Sequence, residues 1–204
     1  MNDSYYDRDY FLEGNKSGYG GRYVPYVRSL WIDRERIHVR ILKESFGKFK
    51  TVLVLGCARG YLVEAFHERG IDAWGIDISA WAITNSDCSP VCRQYLSLGD
   101  CCDLSKYRDK QFDLVVAFDV MEHIPIPDLY KALDEACRVA SKFIAIHVPL
   151  VDKVRIDKTH VSLFWSDWWI GEIRKRGFEV IYETKPQLQA DGIISAYFYF
   201  RRVN

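Results

Sequence analysis

Short apolar runs alternate with helical patterns along most of the chain. Thr51–Leu55 is a continuous apolar run of strand length, and Tyr61–Arg69 after it has the spacing of a helix. Near the C-terminus, Phe178–Thr184 and Ser195–Val203 follow each other without a helix, so we expect them to pair antiparallel. The other predicted strands are Ala73–Ile78, Gln94–Leu98, Phe112–Phe118 and Lys142–Val148, the last of which should end at Pro149.

The pattern predicts helices between the first six strands. Ser79 and Ser166 stand where two of these helices should begin, and both are suitable N-cap residues. Near-continuous apolar strands of this kind are buried on both faces by helices. We therefore expect the α/β class, with a doubly wound, Rossmann-like, mostly parallel sheet of seven strands and helices on both faces.

The first 47 residues differ from the rest. Residues 1–26 are rich in tyrosine and glycine, and an amphipathic helix should follow between Val27 and Gly47. Aromatic rings on a flexible backbone suit a segment that folds over another part of the protein. We expect residues 1–47 to form a lid over a domain of residues 48–204. A partly disordered extension is the alternative for residues 1–26.

The composition of the chain restricts the kinds of molecule that it is expected to bind. The chain has 28 Lys and Arg against 28 Asp and Glu, so it lacks the surplus of positive charge that binding to nucleic acid requires. It has no apolar run long enough to span a bilayer and no signal-peptide pattern, so we expect a cytoplasmic protein without a membrane partner. Its oligomeric state cannot be inferred from the sequence.

The six cysteines indicate free thiols, as expected in a reducing compartment. Cys88, Cys92, Cys101 and Cys102 could be counted as zinc ligands, but their spacing is not a usual one. We therefore expect no metal.

The first strand ends at a loop of small residues, Gly56-Cys57-Ala58-Arg59-Gly60, which opens directly onto a helix. Such a loop lets the backbone approach a ligand, and the helix N-terminus favours a carboxylate or phosphate there. A tight turn needs small residues for purely structural reasons as well. Asp77 ends the second strand, where an acidic side chain can bind both hydroxyls of a ribose. A cap for the next helix is its alternative role.

Four segments together resemble the class I S-adenosylmethionine-dependent methyltransferases, in particular the type 11 group that acts on small molecules. They are VLVLGCARGYL at 52–62, WGIDIS at 74–79, GDCCDL at 99–104 and FDLVVAFDVMEHI at 112–124. The resemblance implies a strand order of 3-2-1-4-5-7-6 with strand seven antiparallel. It also implies S-adenosyl-L-methionine as cofactor and methyl transfer to O or N of a small organic acceptor.

By position, the resemblance places the methionine part of the cofactor at the first loop, its ribose at Asp77, its adenine at the third strand end and its sulfonium at the fourth. The implied cofactor residues are Gly56, Cys57, Ala58, Gly60, Asp77, Ile78, Asp100, Cys101, Phe118 and Asp119. The sequence departs from the family at Ala58, where a glycine is usual, and at Val54, where an acidic residue is usual. Both departures bear on cofactor affinity.

A general base is needed if the acceptor is a hydroxyl or a protonated amine. His123 and His160 are the predicted catalytic residues, and His147 is a further candidate; each could instead have a structural role. Two other functions stay open. Val54 and Ala58 are compatible with a catalytically silent cofactor-binding or scaffold module. An NAD-binding Rossmann protein would use the same Gly56 but needs a glycine where Tyr61 stands.

Overall fold

The computed structural model describes residues 3–14, 24–152, 158–188 and 193–203. The chain forms two compact units, Met1–Cys101 and Cys102–Asn204. The strands are β1 (Thr51–Leu55), β2 (Asp72–Asp77), β3 (Leu96–Leu98), β4 (Phe112–Phe118), β5 (Ala140–Asp152), β6 (Phe178–Glu183), β7 (Gln187–Leu188) and β8 (Ile193–Arg202). The α-helices are α1 (Arg28–Phe46), α2 (Tyr61–His67), α3 (Ala80–Thr84), α4 (Pro90–Arg93), α5 (Asp128–Val139) and α6 (Ser166–Lys175).

The strand order is β3-β2-β1-β4-β5-β8-β6, with the two-residue β7 paired to β8. Once β7 is set aside, this is the predicted order 3-2-1-4-5-7-6, and β8 is the predicted antiparallel strand. The α/β class and the Rossmann-like sheet are therefore confirmed.

In the first unit, β1 and β2 pair in parallel from Thr51 opposite Asp72 to Leu55 opposite Ile76. Every residue of α2 except His67 is buried, because the helix is covered on more than one side. Helix α1 packs against it, and Arg28 at the start of α1 forms an ion pair with the buried Glu64 at 2.9 Å.

In the second unit, the predicted end of β5 at Pro149 was wrong. The strand runs on to Asp152, and Pro149 stays opposite Ser195 of β8. The register shifts between Pro149 and Val151, so an irregularity in the pairing accommodates a residue that has no N–H to donate.

Two predicted caps have different outcomes. Ser79 precedes α3 and its hydroxyl accepts a hydrogen bond from the Ala82 N–H at 3.0 Å, which confirms it as N-cap. Ser166 is instead the first residue of α6, after Trp165 as N-cap, so that prediction was wrong by one residue.

Among the helices of the described residues, we find none that combines the length and the apolar character required to cross a bilayer.

Candidate active site

The loop after β1 turns sharply through left-handed backbone. Ala58 has φ 48° and Gly60 has φ 90°. The conformation favours glycine there, and a Cβ on Gly60 would lie 2.6 Å from Cδ1 of Leu96, so the Leu96 side chain would also have to move. Ala58 has no such freedom, and a left-handed conformation costs an L-residue roughly 1–2 kcal/mol. The family's glycine is thus missing at a position where glycine would relieve strain.

Asp77 holds this loop to the segment that follows β2. Its Oδ2 accepts a hydrogen bond from the Ala58 N–H at 2.7 Å, and its Oδ1 accepts one from the Ser79 N–H at 2.8 Å. Burial raises the pKa of the Asp77 carboxyl, while the two backbone donors act in the opposite direction. Each carboxylate oxygen has a second lone pair, so Asp77 can also accept hydrogen bonds from two ligand hydroxyls.

The remaining residues predicted from the first unit have different environments. Cys57 is buried, its N–H donates to the Ile76 carbonyl at 2.9 Å, and its thiol is adjacent to Gly75. Ile78 is half-buried after β2, and Asp100 is exposed beyond β3. The Gly99 N–H donates to the Asp77 carbonyl at 2.9 Å, which brings the ends of β2 and β3 together.

Cys101 is half-buried, and its thiol lies within 4.8 Å of donor atoms of Asp100 and Cys102. The first unit therefore brings together loop 56–60, Asp77 and the chain after Gly99 at one edge of the sheet.

The N-terminal segment packs on the start of α3. Ser79 lies two residues after Asp77, and its hydroxyl donates a hydrogen bond to the Tyr6 carbonyl. The Phe11 ring is buried and stacks on Trp81, with ring centroids 5.7 Å apart. The Tyr26 N–H donates to the Phe11 carbonyl at 2.8 Å, which joins this segment to the chain before α1.

Arg59 has a positioning role that the sequence analysis missed, because it treated this residue only as part of a small-residue loop. Its guanidinium is buried and donates from Nε and Nη2 to the Asn85 carbonyl at 3.0 and 2.8 Å. Its Nη1 donates to the Tyr26 carbonyl at 2.8 Å. An arginine among small residues is the sequence signal that could have indicated this role, because its guanidinium can bind several carbonyl oxygens at once.

In the second unit, Phe118 ends β4 and packs edge-on against Tyr197 at 5.4 Å. Asp119 follows with φ 57°, and its Oδ1 lies 2.6 Å from Nδ1 of His147. The His147 ring also lies over Tyr197, with centroids 4.1 Å apart. Sequence reasoning did not pair Asp119 with His147; the register of β4 and β5 places Phe118 opposite His147 and so creates the contact.

The turn after β4 brings both predicted catalytic histidines beside a buried carboxylate. Glu122 is 1% exposed, and its Oε1 lies 3.7 Å from Nε2 of His123. The His123 and His160 rings are 5.1 Å apart. One donor atom from each of the three side chains lies within 4.8 Å of the others. Sequence reasoning named the two histidines but not Glu122 as their partner.

Backbone hydrogen bonds hold the loop of His160 to this turn. The Glu122 carbonyl accepts from the N–H groups of Val161 and Ser162, both at 2.9 Å. The Ser162 hydroxyl donates to the Ile124 carbonyl at 2.6 Å. The positions of the three side chains are thus fixed by the fold and not by their mutual contacts alone.

The alternating strands and helices, the strand order and the loop after β1 define the class I methyltransferase fold. Residues 53–142 match a family model described as a methyltransferase domain. The resemblance inferred from the sequence is thereby confirmed: the fold and this domain match support a class I S-adenosylmethionine-dependent methyltransferase.

Among curated proteins, a ubiquinone biosynthesis O-methyltransferase from Idiomarina loihiensis is 31% identical over 96 residues. The match covers 46% of this chain and 38% of that relative, so the chain spans well under half of the relative's length. The sequence similarity therefore covers only part of each protein, and it agrees with the match to a methyltransferase domain.

Two solved structures show the same fold across almost the whole chain. A protein from Pyrococcus horikoshii has a TM-score of 0.71 at 18% identity, covering 99% of both chains. Magnesium protoporphyrin IX methyltransferase from Synechocystis, solved with bound S-adenosylhomocysteine (SAH), has a TM-score of 0.68 at 16% identity and covers 96% of this chain and 97% of that one. Together with the domain match, these comparisons support S-adenosylmethionine as the cofactor.

Proposed function

We propose that this protein transfers the methyl group of S-adenosylmethionine to O or N of a small organic acceptor. The observation that carries the proposal is Asp77, a buried carboxylate at the end of β2 that two backbone N–H groups hold against the loop after β1. Its remaining lone pairs suit the two hydroxyls of a ribose.

The cofactor residues follow from this anchor. Gly60 and Ala58 keep the loop backbone free of large side chains, which suits a close approach by the methionine part of the cofactor. Asp100, exposed after β3, is suited to accept from the exocyclic amine of adenine. Cys57, by contrast, offers its backbone only, since its thiol is buried beside Gly75.

The acceptor is proposed to bind at the second unit. Ile126, Val161 and Trp165 are 47%, 56% and 60% exposed, and they follow Glu122 and His160 closely along the chain. Exposed apolar side chains close in sequence to the histidines suit an organic acceptor with a hydroxyl or amine. The lone pair of that acceptor would attack the methyl carbon as the sulfur–carbon bond breaks, and His123 and His160 are the candidate proton acceptors.

The N-terminal segment is proposed to act as a lid on the cofactor. Its Tyr6 carbonyl is bound by Ser79, two residues from the ribose anchor, and Phe11 is buried against Trp81. A cover at this place would shield the bound cofactor from water.

Calorimetric titration of the purified chain with S-adenosylmethionine and SAH tests the proposal. Asp77→Asn removes the charge that would bind the ribose and should weaken both ligands about 10–100-fold, the effect of losing one charge-assisted hydrogen bond. Asp72→Asn, at the exposed start of the same strand, is the matched control and should bind like the wild type.

Two results would count against the proposed function. Absence of binding at millimolar concentration refutes the cofactor assignment. Binding without transfer of labelled methyl groups to any metabolite of a cell extract would favour the catalytically silent module, to which the buried Val54 and the strained Ala58 also point.

A further inference from the structure

We propose that Glu122, His123 and His160 form a binding site for a divalent first-row transition-metal ion, with Zn²⁺ and Co²⁺ as the ions of choice. The donor atoms of the three side chains lie within 4.8 Å of one another. Two imidazoles and one carboxylate are a ligand set that such ions use in proteins, with open positions for a substrate.

The burial of Glu122 supports this assignment. The residue is 1% exposed, and its Oε1 lies 3.7 Å from Nε2 of His123. Water screens charges poorly at a buried carboxylate, so its attraction for a divalent cation is stronger than it would be at the surface.

His123 is oriented as a metal ligand would be. Its Nδ1 lies 2.7 Å from Oγ1 of Thr159, while its Nε2 faces Glu122. In metalloproteins the nitrogen that does not bind the metal is commonly held by an oxygen of the protein, which fixes the tautomer and the ring. Thr159 supplies that oxygen here.

The backbone keeps the set together before any ion binds. His160 is far from His123 along the chain, yet Val161 and Ser162 directly after it donate to the Glu122 carbonyl. Such a preformed arrangement spares an incoming ion most of the cost of ordering its ligands.

The role of the ion rests on the proposed function. An acceptor hydroxyl bound at an open position would lose its proton to water more readily, since a divalent cation lowers the pKa of a bound O–H group. With the ion bound, His123 and His160 are ligands, and water takes the place of these histidines as proton acceptor. The acceptor oxygen would then form a bond to the methyl carbon of S-adenosylmethionine as the carbon–sulfur bond breaks. Its electron pair stays on sulfur, and the products are the methyl ether and S-adenosylhomocysteine.

The test is metal binding by the full chain, measured without cofactor. EDTA-treated and dialysed protein is titrated with Co²⁺, followed by its visible absorption, and with Zn²⁺ and Mg²⁺ by calorimetry. We expect one equivalent of Co²⁺ or Zn²⁺ to bind, with Mg²⁺ much weaker because it prefers oxygen ligands.

Variants locate the site. His160→Ala should abolish the Co²⁺ spectrum, and Thr159→Val should weaken Co²⁺ about 10–100-fold, the usual effect of losing such a supporting oxygen. His38→Asn is the matched control, because His38 also lies beside a buried glutamate, with Nδ1 3.0 Å from Oε2 of Glu35, and should leave binding unchanged. Circular dichroism and the melting temperature confirm that each variant is folded.

Three results would overturn the site: no binding of Co²⁺ or Zn²⁺, binding that His160→Ala leaves intact, or Mg²⁺ bound as tightly as Co²⁺. Cofactor titration separates this outcome from a failure of the proposed function. Protein that binds S-adenosylmethionine but no metal refutes the metal site alone, whereas protein that binds metal but no cofactor refutes methyl transfer alone.

Discussion

Replacement of Asp77 by alanine should destabilise the folded protein even without cofactor. The carboxylate accepts hydrogen bonds from the N–H groups of Ala58 and Ser79, and Asp77 itself is only 8% exposed. In Asp77→Ala both donors lose their partner in a site that water enters poorly. The loop after β1 and the start of α3 lose their common anchor at the same time.

The size of the effect follows from the two bonds. Each buried N–H that is left without its partner costs about 1–3 kcal/mol, so two cost roughly 2–6 kcal/mol. Removal of the buried carboxylate, whose pKa is raised by burial, offsets part of this cost, so we expect a net loss of about 3 kcal/mol in the free energy of unfolding. For a chain of this size that corresponds to a melting temperature lower by about 6–12 °C.

Thermal unfolding followed by circular dichroism measures the effect on the apo protein. Asp72→Ala, at the exposed first residue of β2, is the control and should stay within about 0.5 kcal/mol of the wild type. If Asp77→Ala melts together with this control, the two N–H groups do not depend on the carboxylate, and the anchoring role assigned to Asp77 is wrong.

The other predictions concern neighbouring features. Because burial raises the pKa of Asp77, its burial cost is fully present above the folded-state pKa and is lost as pH falls; the wild type should therefore gain stability relative to Asp77→Asn in urea melts as pH falls through the folded-state pKa towards the unfolded-state value of about 4, and a constant difference would contradict this. Ala58→Gly relieves a φ of 48° and should raise the free energy of unfolding by about 0.5 kcal/mol, whereas a lower urea midpoint would argue against strain there. Gly75→Ala places a Cβ 2.7 Å from Cys57 and 2.9 Å from Val63 and should cost about 1–3 kcal/mol, while Gly171→Ala, with nothing within 4 Å, should not destabilise. Phe11→Ala should expose residues 3–14 to limited proteolysis and weaken S-adenosylmethionine binding; unchanged affinity would refute the lid.

Much of the fold could be predicted because its signals are local. β1 is an unbroken apolar run, and Ser79 caps α3 through its own side chain, so neighbouring residues suffice to locate both. Pro149 shows where local rules fail. Its effect on β5 depends on how β8 pairs across from it, and the sequence around Pro149 contains nothing about that partner.

In the candidate site, too, the residues with local signals could be predicted, whereas the contacts between distant residues could not. Asp77 and His123 were predicted from their positions at or just past strand ends, and the resemblance added Gly60 and Asp119 as cofactor residues. The contact of Asp119 with His147, and that of Glu122 with His160, join residues that are distant along the chain. Only the sheet register and the return of the loop after Thr159 create these contacts, so no spacing in the sequence could indicate them.

The backbone bonds between Glu122 and the residues after His160 have a consequence for engineering. Val161 and Ser162 both donate to one carbonyl through their backbone N–H groups, which any residue except proline supplies, and only the bond from Ser162 to Ile124 depends on a side chain. A chimera that takes residues 158–162 from a relative but keeps its own residues 121–124 should therefore retain both backbone bonds. The side chains at 159 and 160 can thus be exchanged without moving the turn after β4, provided that no proline enters position 161 or 162.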